Sequence, residues 1–130
     1  MCEVCKRRDM GENEKYFIKG YETGYLTLFD NQAYEGYCLY VFKRHIEDIF
    51  EMTETERFSY FKELSEIIEK LNNLYKPLKM NYCFLGNGCR HLHCHIIPNN
   101  EGSRTIWHRD YRENFDYNIS EIVEKIRGVL

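Results

Sequence analysis

The sequence predicts an α+β domain in which an antiparallel sheet is combined with one long helix and a short C-terminal helix. Two observations support this class. Short β-rich runs lie both before and after a single long helical stretch, and a second amphipathic stretch closes the chain. Strands grouped in this way are typical of α+β folds, whereas a wound parallel sheet requires strands and helices to alternate. The 130 residues suit one domain, which is predicted to span residues 1–130.

Five short runs rich in apolar, β-branched and aromatic residues are predicted to form strands. They cover residues 16–19, 25–29, 37–42, 81–85 and 92–97. The second and third runs are separated by a polar connection that ends at Gly36, with a length typical of a hairpin. The last two runs are joined by the tight segment Gly86-Asn87-Gly88.

The long helix is predicted to begin after Thr53. Thr53 and Glu56 match a capping box, which satisfies two of the free amides at a helix start. Apolar residues then recur every three or four positions until Pro77 ends the run. The predicted apolar face comprises Phe58, Phe61, Leu64, Ile68, Leu71 and Tyr75. A single turn of helix is predicted at residues 46–51, and the C-terminal helix over the stretch that contains Ile119, Ile122, Val123, Ile126 and Val129.

Composition restricts the partners and the compartment. The formal net charge of -3 predicts no general affinity for nucleic acids or anionic membranes. No stretch approaches the roughly 20 apolar residues that span a bilayer, and the first residues lack the apolar block of a secretory signal. We therefore expect a cytoplasmic protein whose six cysteines are reduced. Only Cys2 and Cys5 have the spacing of metal ligands, and we expect Cys38, Cys83 and Cys94 to be core thiols.

Three histidines alternate with apolar residues near the end of the sheet region. On one strand, His91, His93 and His95 would share a face at intervals of roughly 6.5–7 Å. The same parity places Arg90 with Leu92 on the opposite face, unless the strand begins after Arg90. Such a row of imidazoles can bind one metal ion or supply a nucleophile for phosphorus, and both chemistries remain open from the residues alone. Asn87 and Gly88, just ahead of the row, offer donors that suit phosphate oxygens.

The segment from His91 to Ile97 matches every position of the pattern His-φ-His-φ-His-φ-φ, where φ is apolar. The chain thereby resembles the histidine-triad (HIT) family. The similarity continues, in order, through residues 28–30, 36–41 and 42–46, and covers roughly residues 1–107. It implies a HIT-like α+β fold.

The resemblance also implies a role for each matching residue. His93 would be the nucleophile that forms a nucleotidyl-histidine intermediate, and His95 would donate a hydrogen bond to the α-phosphate, with His91 completing the catalytic set. The implied nucleotide-binding residues are Asp30 on the ribose hydroxyls, Leu28 and Phe29 beside the base, and Asn87 with Gly88 at the phosphate. In a strand, only one of Leu28 and Phe29 can face the base.

Some bacterial HIT proteins hold a zinc ion with an N-terminal Cys-x-x-Cys, a mid-chain histidine and the first histidine of the motif. The matching residues here are Cys2, Cys5, His45 and His91. The resemblance therefore implies one structural zinc per chain, since a Cys₂His₂ set leaves no position open for water.

The implied activity is that of a nucleotide hydrolase or nucleotidyl transferase acting at the α-phosphate. The expected substrate is a purine nucleotide or dinucleoside polyphosphate, or a nucleoside phosphoramidate. HIT proteins are commonly dimers, so a homodimer is expected, with Trp107 and His108 near the partner's site. Two alternatives remain open: a metallohydrolase in which all three strand histidines bind one metal, and a non-catalytic nucleotide-binding regulatory protein.

Overall fold

The computed structural model describes residues 2–11, 14–100, 102 and 118–130. Its helices are α1 (Glu3–Met10), α2 (Glu54–Tyr75) and α3 (Ile119–Arg127), with a 3-10 turn at Ile49–Glu51 before α2. Its strands are β1 (Phe17–Gly20), β2 (Gly24–Leu28), β3 (Cys38–Phe42), β4 (Lys79–Cys83) and β5 (His93–Asn99). The strands form one antiparallel sheet in the order β1-β2-β3-β5-β4. The predicted α+β class, with its antiparallel sheet, long helix and short C-terminal helix, is confirmed.

The two faces of the sheet have different roles. In the central pair, Leu39 lies opposite His95 and Val41 lies opposite His93, so these four side chains share one face. The other face is covered by α2 and α3 and forms the hydrophobic core. Its largest contributors are Leu26, Leu28, Tyr40, Phe42, Cys94 and Ile96 from the sheet, and Tyr60, Leu64, Ile67, Leu71, Ile122, Val123 and Ile126 from the helices.

Helix α2 begins where the capping box predicted. The Thr53 hydroxyl accepts from the Glu56 backbone amide at 3.1 Å, and the Glu56 carboxylate accepts from the Thr53 amide at 2.8 Å. The predicted apolar face is only partly buried in the chain, because Phe58 is 72% exposed. The residues that are buried are Tyr60, Leu64, Ile67 and Leu71. This stripe has the same helical spacing as the predicted one. The Tyr60 ring stacks on Tyr40 of the sheet at 4.8 Å, and this contact turns the Tyr60 stripe, and not the stripe that contains Phe58, toward the core.

The ends of the chain differ from expectation in detail. Helix α1 was not predicted, because its residues are mostly polar and only Cys5 is buried. Helix α3 lies within the predicted stretch and ends at Arg127, which leaves Val129 beyond it. Trp107 and His108 lie outside the described residues. In the part of the chain that the structure describes, no helix is both long enough and apolar enough to cross a membrane.

Candidate active site and metal centre

His91 does not continue the row formed by the other two histidines. Strand β5 begins at His93, not at residue 92 as predicted, and His91 lies just before it with a fully buried ring. The backbone here is held by neighbouring segments: the amide of Leu92 donates to the Ile46 carbonyl, and the Phe42 amide donates to the Leu92 carbonyl. The prediction that three imidazoles share one strand is therefore corrected to two.

The ring of His91 lies among the other predicted metal ligands. Its Nδ1 is 3.4 Å from the Cys5 sulfur, 3.9 Å from the Cys2 sulfur and 3.1 Å from Nδ1 of His45. The Cys5 sulfur is in turn 3.4 Å from Nδ1 of His45. One ligand atom from each of these four residues lies within 4.8 Å of the other three. The structure thus brings together the whole predicted zinc set.

These distances suit a tetrahedral metal ion. With the usual zinc–sulfur and zinc–nitrogen bond lengths, the ligand atoms of such a site lie roughly 3.3–3.8 Å apart. On the far side of its ring, His91 donates from Nε2 to the Phe42 carbonyl at 2.5 Å. That bond places the proton on Nε2 and leaves the Nδ1 lone pair to face the cluster, as expected for a metal-binding histidine. The donor set and its orientation therefore fit a zinc ion.

A shared metal on the three motif histidines is not supported. Both ring nitrogens of His91 already have partners, and in the described part of the chain the group competent to bind a metal contains neither His93 nor His95. The alternative of a three-histidine metallohydrolase is corrected on this ground.

Cys89 is a neighbour of the cluster that sequence reasoning did not single out. Its sulfur lies 4.0 Å from the Cys2 sulfur. No spacing rule identifies it, because the two residues are far apart in sequence and meet only through the fold. Cys38 and Cys94 are core thiols, as expected: both are fully buried, and burial raises the pKa of Cys94 to about 12. The same expectation is wrong for Cys83, which is half-buried and lies opposite His95, on the histidine side of the sheet.

His93 is held in one tautomer by the backbone. Its Nδ1 lies 2.6 Å from the carbonyl oxygen of His91. A carbonyl can only accept, so Nδ1 carries the proton and the ring lone pair is on Nε2. A neutral imidazole with its lone pair on the outer nitrogen is the form needed for nucleophilic attack.

A cavity of about 240 Å³ lies beside His93. Its lining includes Arg90, Gly86 and the acidic residues Glu47 and Asp48. Arg90 was predicted to point away from the histidines by strand parity. The parity argument does not apply to Arg90, because β5 begins after this residue.

His95 contacts two aromatic side chains. The Tyr37 hydroxyl lies 2.7 Å from Nδ1 of His95, and the Tyr37 ring packs at 4.4 Å on Phe29. The rings of His93 and His95 are 4.9 Å apart. Burial, with a further contribution from nearby His93, lowers the pKa of His95 to about 4, so its ring is neutral at physiological pH. Tyr37 was not predicted as a site residue.

The predicted nucleotide-binding residues have different surroundings. Leu28 is only 1% exposed and belongs to the core on the opposite face of the sheet, so its predicted place beside the base is corrected. Phe29, the next residue, lies on the histidine side, with its ring 6.3 Å from that of His95, and Asp30 follows it in an exposed position. Asn87 and Gly88 are exposed on the loop between β4 and β5, and their contact with phosphate stays a prediction.

Comparison with known proteins agrees with this arrangement. The HIT domain matches residues 11–102 of the chain. An uncharacterized HIT-like protein of Methanocaldococcus jannaschii is 29% identical over 134 residues, which cover 98% of this chain and 100% of that protein.

Two solved structures share the fold at low sequence identity. A zinc-bound histidine triad family protein of Mycobacterium smegmatis has a TM-score of 0.70 at 14% identity, with 98% of this chain and 91% of that chain covered. The diadenosine triphosphate hydrolase of Plasmodium falciparum has a TM-score of 0.64 at 16% identity, with 89% and 74% covered. Because the domain match spans most of the sequence and includes both histidines of β5, this chain belongs to the HIT domain family.

Proposed function

We propose that this protein is a nucleotide hydrolase or nucleotidyl transferase that acts at the α-phosphate through His93. The observation that carries the proposal is the 2.6 Å hydrogen bond from Nδ1 of His93 to the His91 carbonyl. It keeps the Nε2 lone pair of His93 available beside the neutral ring of His95. A nucleophile and a hydrogen-bond donor placed side by side are what a two-step displacement at phosphorus requires.

In the first step, the Nε2 lone pair of His93 forms a bond to the α-phosphorus. The bond from phosphorus to the leaving group breaks, and the leaving group departs with the electron pair. In the second step, the oxygen of water or of another acceptor attacks phosphorus and loses its proton to solvent, and the electron pair of the phosphorus–nitrogen bond returns to Nε2. His95 stabilises the charge on the phosphate oxygens in both steps.

The surroundings of the two histidines support a nucleotide as the substrate. The aromatic pair of Phe29 and Tyr37 offers a flat apolar surface for a base, and the Asp30 carboxylate can accept from both ribose hydroxyls. Arg90, which lines the cavity beside His93, offers a cation for an anionic leaving group. A dinucleoside polyphosphate fits this distribution, as does a nucleoside phosphoramidate, and the Plasmodium neighbour is by name a diadenosine triphosphate hydrolase.

We also propose that Cys2, Cys5, His45 and His91 hold one structural zinc ion per chain. The cluster geometry supports this, and the Mycobacterium neighbour is zinc-bound. Four protein ligands close the site, so the metal would stabilise structure and not activate water. It would join helix α1 to the segment that leads into β5.

A second copy of the chain is the proposed partner. Strand β4 is at the edge of the sheet, and large apolar side chains are exposed beside it and on α2. They include Phe58, Phe61, Tyr82, Phe84 and Leu85, and the rings of Phe61 and Phe84 are 6.2 Å apart. Among the described residues no strand pairs with the outer edge of β4, and such an edge with an adjacent apolar surface can pair with its own copy about a twofold axis.

Trapping of the covalent intermediate tests the catalytic proposal. Diadenosine triphosphate radiolabelled at the α-phosphate is mixed with the protein and quenched in alkali, because a phosphorus–nitrogen bond to histidine is labile in acid. We expect labelled protein with the wild type and none with His93→Gly. Free imidazole should restore part of the turnover of His93→Gly, since it replaces the missing ring. Turnover in His93→Gly equal to that of the wild type, without imidazole, would overturn the proposal.

A further inference from the structure

We propose that Tyr37 is a positioning residue that holds His95 in the tautomer able to donate a hydrogen bond to phosphate. The proposal rests on the proposed function, because it assigns His95 a phosphate oxygen as its acceptor. Tyr37 lies outside the histidine motif: it directly precedes strand β3 and is 58 positions before His95.

The contact between the two side chains is direct. The Tyr37 hydroxyl oxygen is 2.7 Å from Nδ1 of His95, a normal distance for a hydrogen bond to a ring nitrogen. The Tyr37 ring meets the His95 ring edge-on at 5.8 Å and is packed against Phe29 at 4.4 Å. Phe29 also meets His95 edge-on at 6.3 Å. Three mutually packed rings restrict the position of the hydroxyl relative to the imidazole.

The chemistry of the pair decides which atom donates. A neutral imidazole carries one proton, and a phenol can donate or accept. The phenol hydroxyl is a much stronger acid than the imidazole N–H, and an unprotonated imidazole nitrogen is the stronger base of the two possible acceptors. The favoured arrangement therefore has the Tyr37 hydroxyl donating to Nδ1, with the His95 proton on Nε2.

The two histidines of β5 then carry opposite tautomers. The His91 carbonyl accepts from Nδ1 of His93 and leaves a lone pair on its Nε2, whereas the Tyr37 hydroxyl donates to Nδ1 of His95 and leaves a proton on its Nε2. With ring centroids 4.9 Å apart, one outer nitrogen can attack phosphorus while the other donates to a phosphate oxygen. The hydrogen-bond partner of Nδ1 therefore determines whether each ring, His93 or His95, presents a lone pair or a proton on Nε2.

The test compares the wild type with Tyr37→Phe, which removes the hydroxyl and keeps the ring packed on Phe29. The first readout is the ring-nitrogen chemical shifts of His95, measured by NMR at neutral pH without substrate. We expect a protonated Nε2 in the wild type and a mixture of both tautomers in the variant. A protonated Nδ1 on His95 in the wild type would overturn the proposal, and this measurement needs no variant at all.

The second readout is the kinetics with diadenosine triphosphate. Because donation from Nε2 matters most in the transition state, we expect kcat to fall roughly 10-fold in Tyr37→Phe, with KM changed less than about threefold. Tyr21→Phe is the matched control, since it removes the same atom from a tyrosine that packs on Tyr40, on the core side of the sheet. It should leave both constants unchanged.

The two proposals fail in different ways. If His95 keeps a pure Nε2 proton in Tyr37→Phe, or kcat does not change, the assignment of Tyr37 is wrong even when a His93 adduct forms. If the tautomer shifts as expected but no His93 adduct forms with the wild type, the proposed function is wrong, and with it the role of Tyr37 in phosphate binding.

Discussion

The backbone carbonyl of His91 accepts a hydrogen bond from Nδ1 of His93 at 2.6 Å, while the ring of His91 lies in the Cys₂His₂ cluster. One residue therefore joins the candidate metal centre to the candidate nucleophile. The connection is short and made of buried groups, since His91 is fully buried and His93 nearly so. Loss of a ligand from the cluster should therefore shift the His91 carbonyl and, with it, the ring of His93.

Substitution Cys5→Ser tests that connection. We expect the variant to lose the one zinc ion per chain that the wild type holds, because the Cys5 sulfur contacts both histidines of the cluster. We also expect kcat to fall about 10-fold, since a displaced His91 carbonyl no longer holds His93 in its reactive tautomer. Elemental analysis, thermal melting and kcat are measured together, and Cys83→Ser is the control for zinc content only, because Cys83 lies on β4 outside the cluster but opposite His95. Zinc that persists at one equivalent in Cys5→Ser would contradict the ligand assignment.

Arg90 provides a test of the leaving-group side. It lines the cavity beside His93, and a guanidinium there stabilises an anionic leaving group more than a neutral one. In Arg90→Ala we expect kcat/KM for diadenosine triphosphate to fall by roughly 10–100-fold, equivalent to the loss of one charge-assisted hydrogen bond. In the same variant, kcat/KM for an adenosine phosphoramidate with a neutral amine leaving group should change little. Arg44→Ala, which removes an arginine paired with Glu56, is the control. Equal losses for both substrates would show that Arg90 does not act on the leaving group.

The low pKa of His95 predicts a sensitivity of the fold to acid. Its ring takes up a proton near pH 4 in the folded protein and near pH 6.5 in the unfolded chain. Between these values the unfolded chain binds more protons, so the free energy of unfolding falls as the pH drops from 6.5 to 4. We expect an NMR titration of the His95 ring to have its midpoint near pH 4. Chemical denaturation across the same range should show a smaller loss of stability in His95→Gln than in the wild type.

Much of this architecture follows from local patterns. The capping box at Thr53 and the alternation of Cys94 and Ile96 toward the core depend only on neighbouring residues, so the sequence predicts them correctly. The zinc set was implied by resemblance, and the fold brings its members together. Local patterns do not predict the residue at which β5 begins. That boundary depends on backbone bonds from residue 92 to Ile46 and Phe42, and it decides that His91 leaves the row.

The contact between Tyr37 and His95 has the same non-local origin. It requires the register of β3 against β5, in which Leu39 lies opposite His95, and no feature of either strand alone reveals that register. The choice of buried face on α2 is similar. Two apolar stripes with helical spacing compete, and the aromatic stack of Tyr60 on Tyr40 decides between them. The stripe that is left exposed includes Phe58.

That exposed stripe leads to a prediction about assembly. If a second copy covers α2 and the edge at β4, the wild type should sediment with twice the mass of the 15.8 kDa chain. Phe58 is exposed and would be buried twice in a symmetric interface, at roughly 1.5–3 kcal/mol for each copy. Phe58→Glu should therefore weaken the dimer by at least about 100-fold and give the mass of one chain at micromolar concentration. Val129→Glu is the control, because Val129 follows α3, which packs against β1 at the opposite edge of the sheet. A wild type that sediments as a single chain, or a Phe58→Glu variant that remains dimeric, would show that the two copies do not meet through this surface.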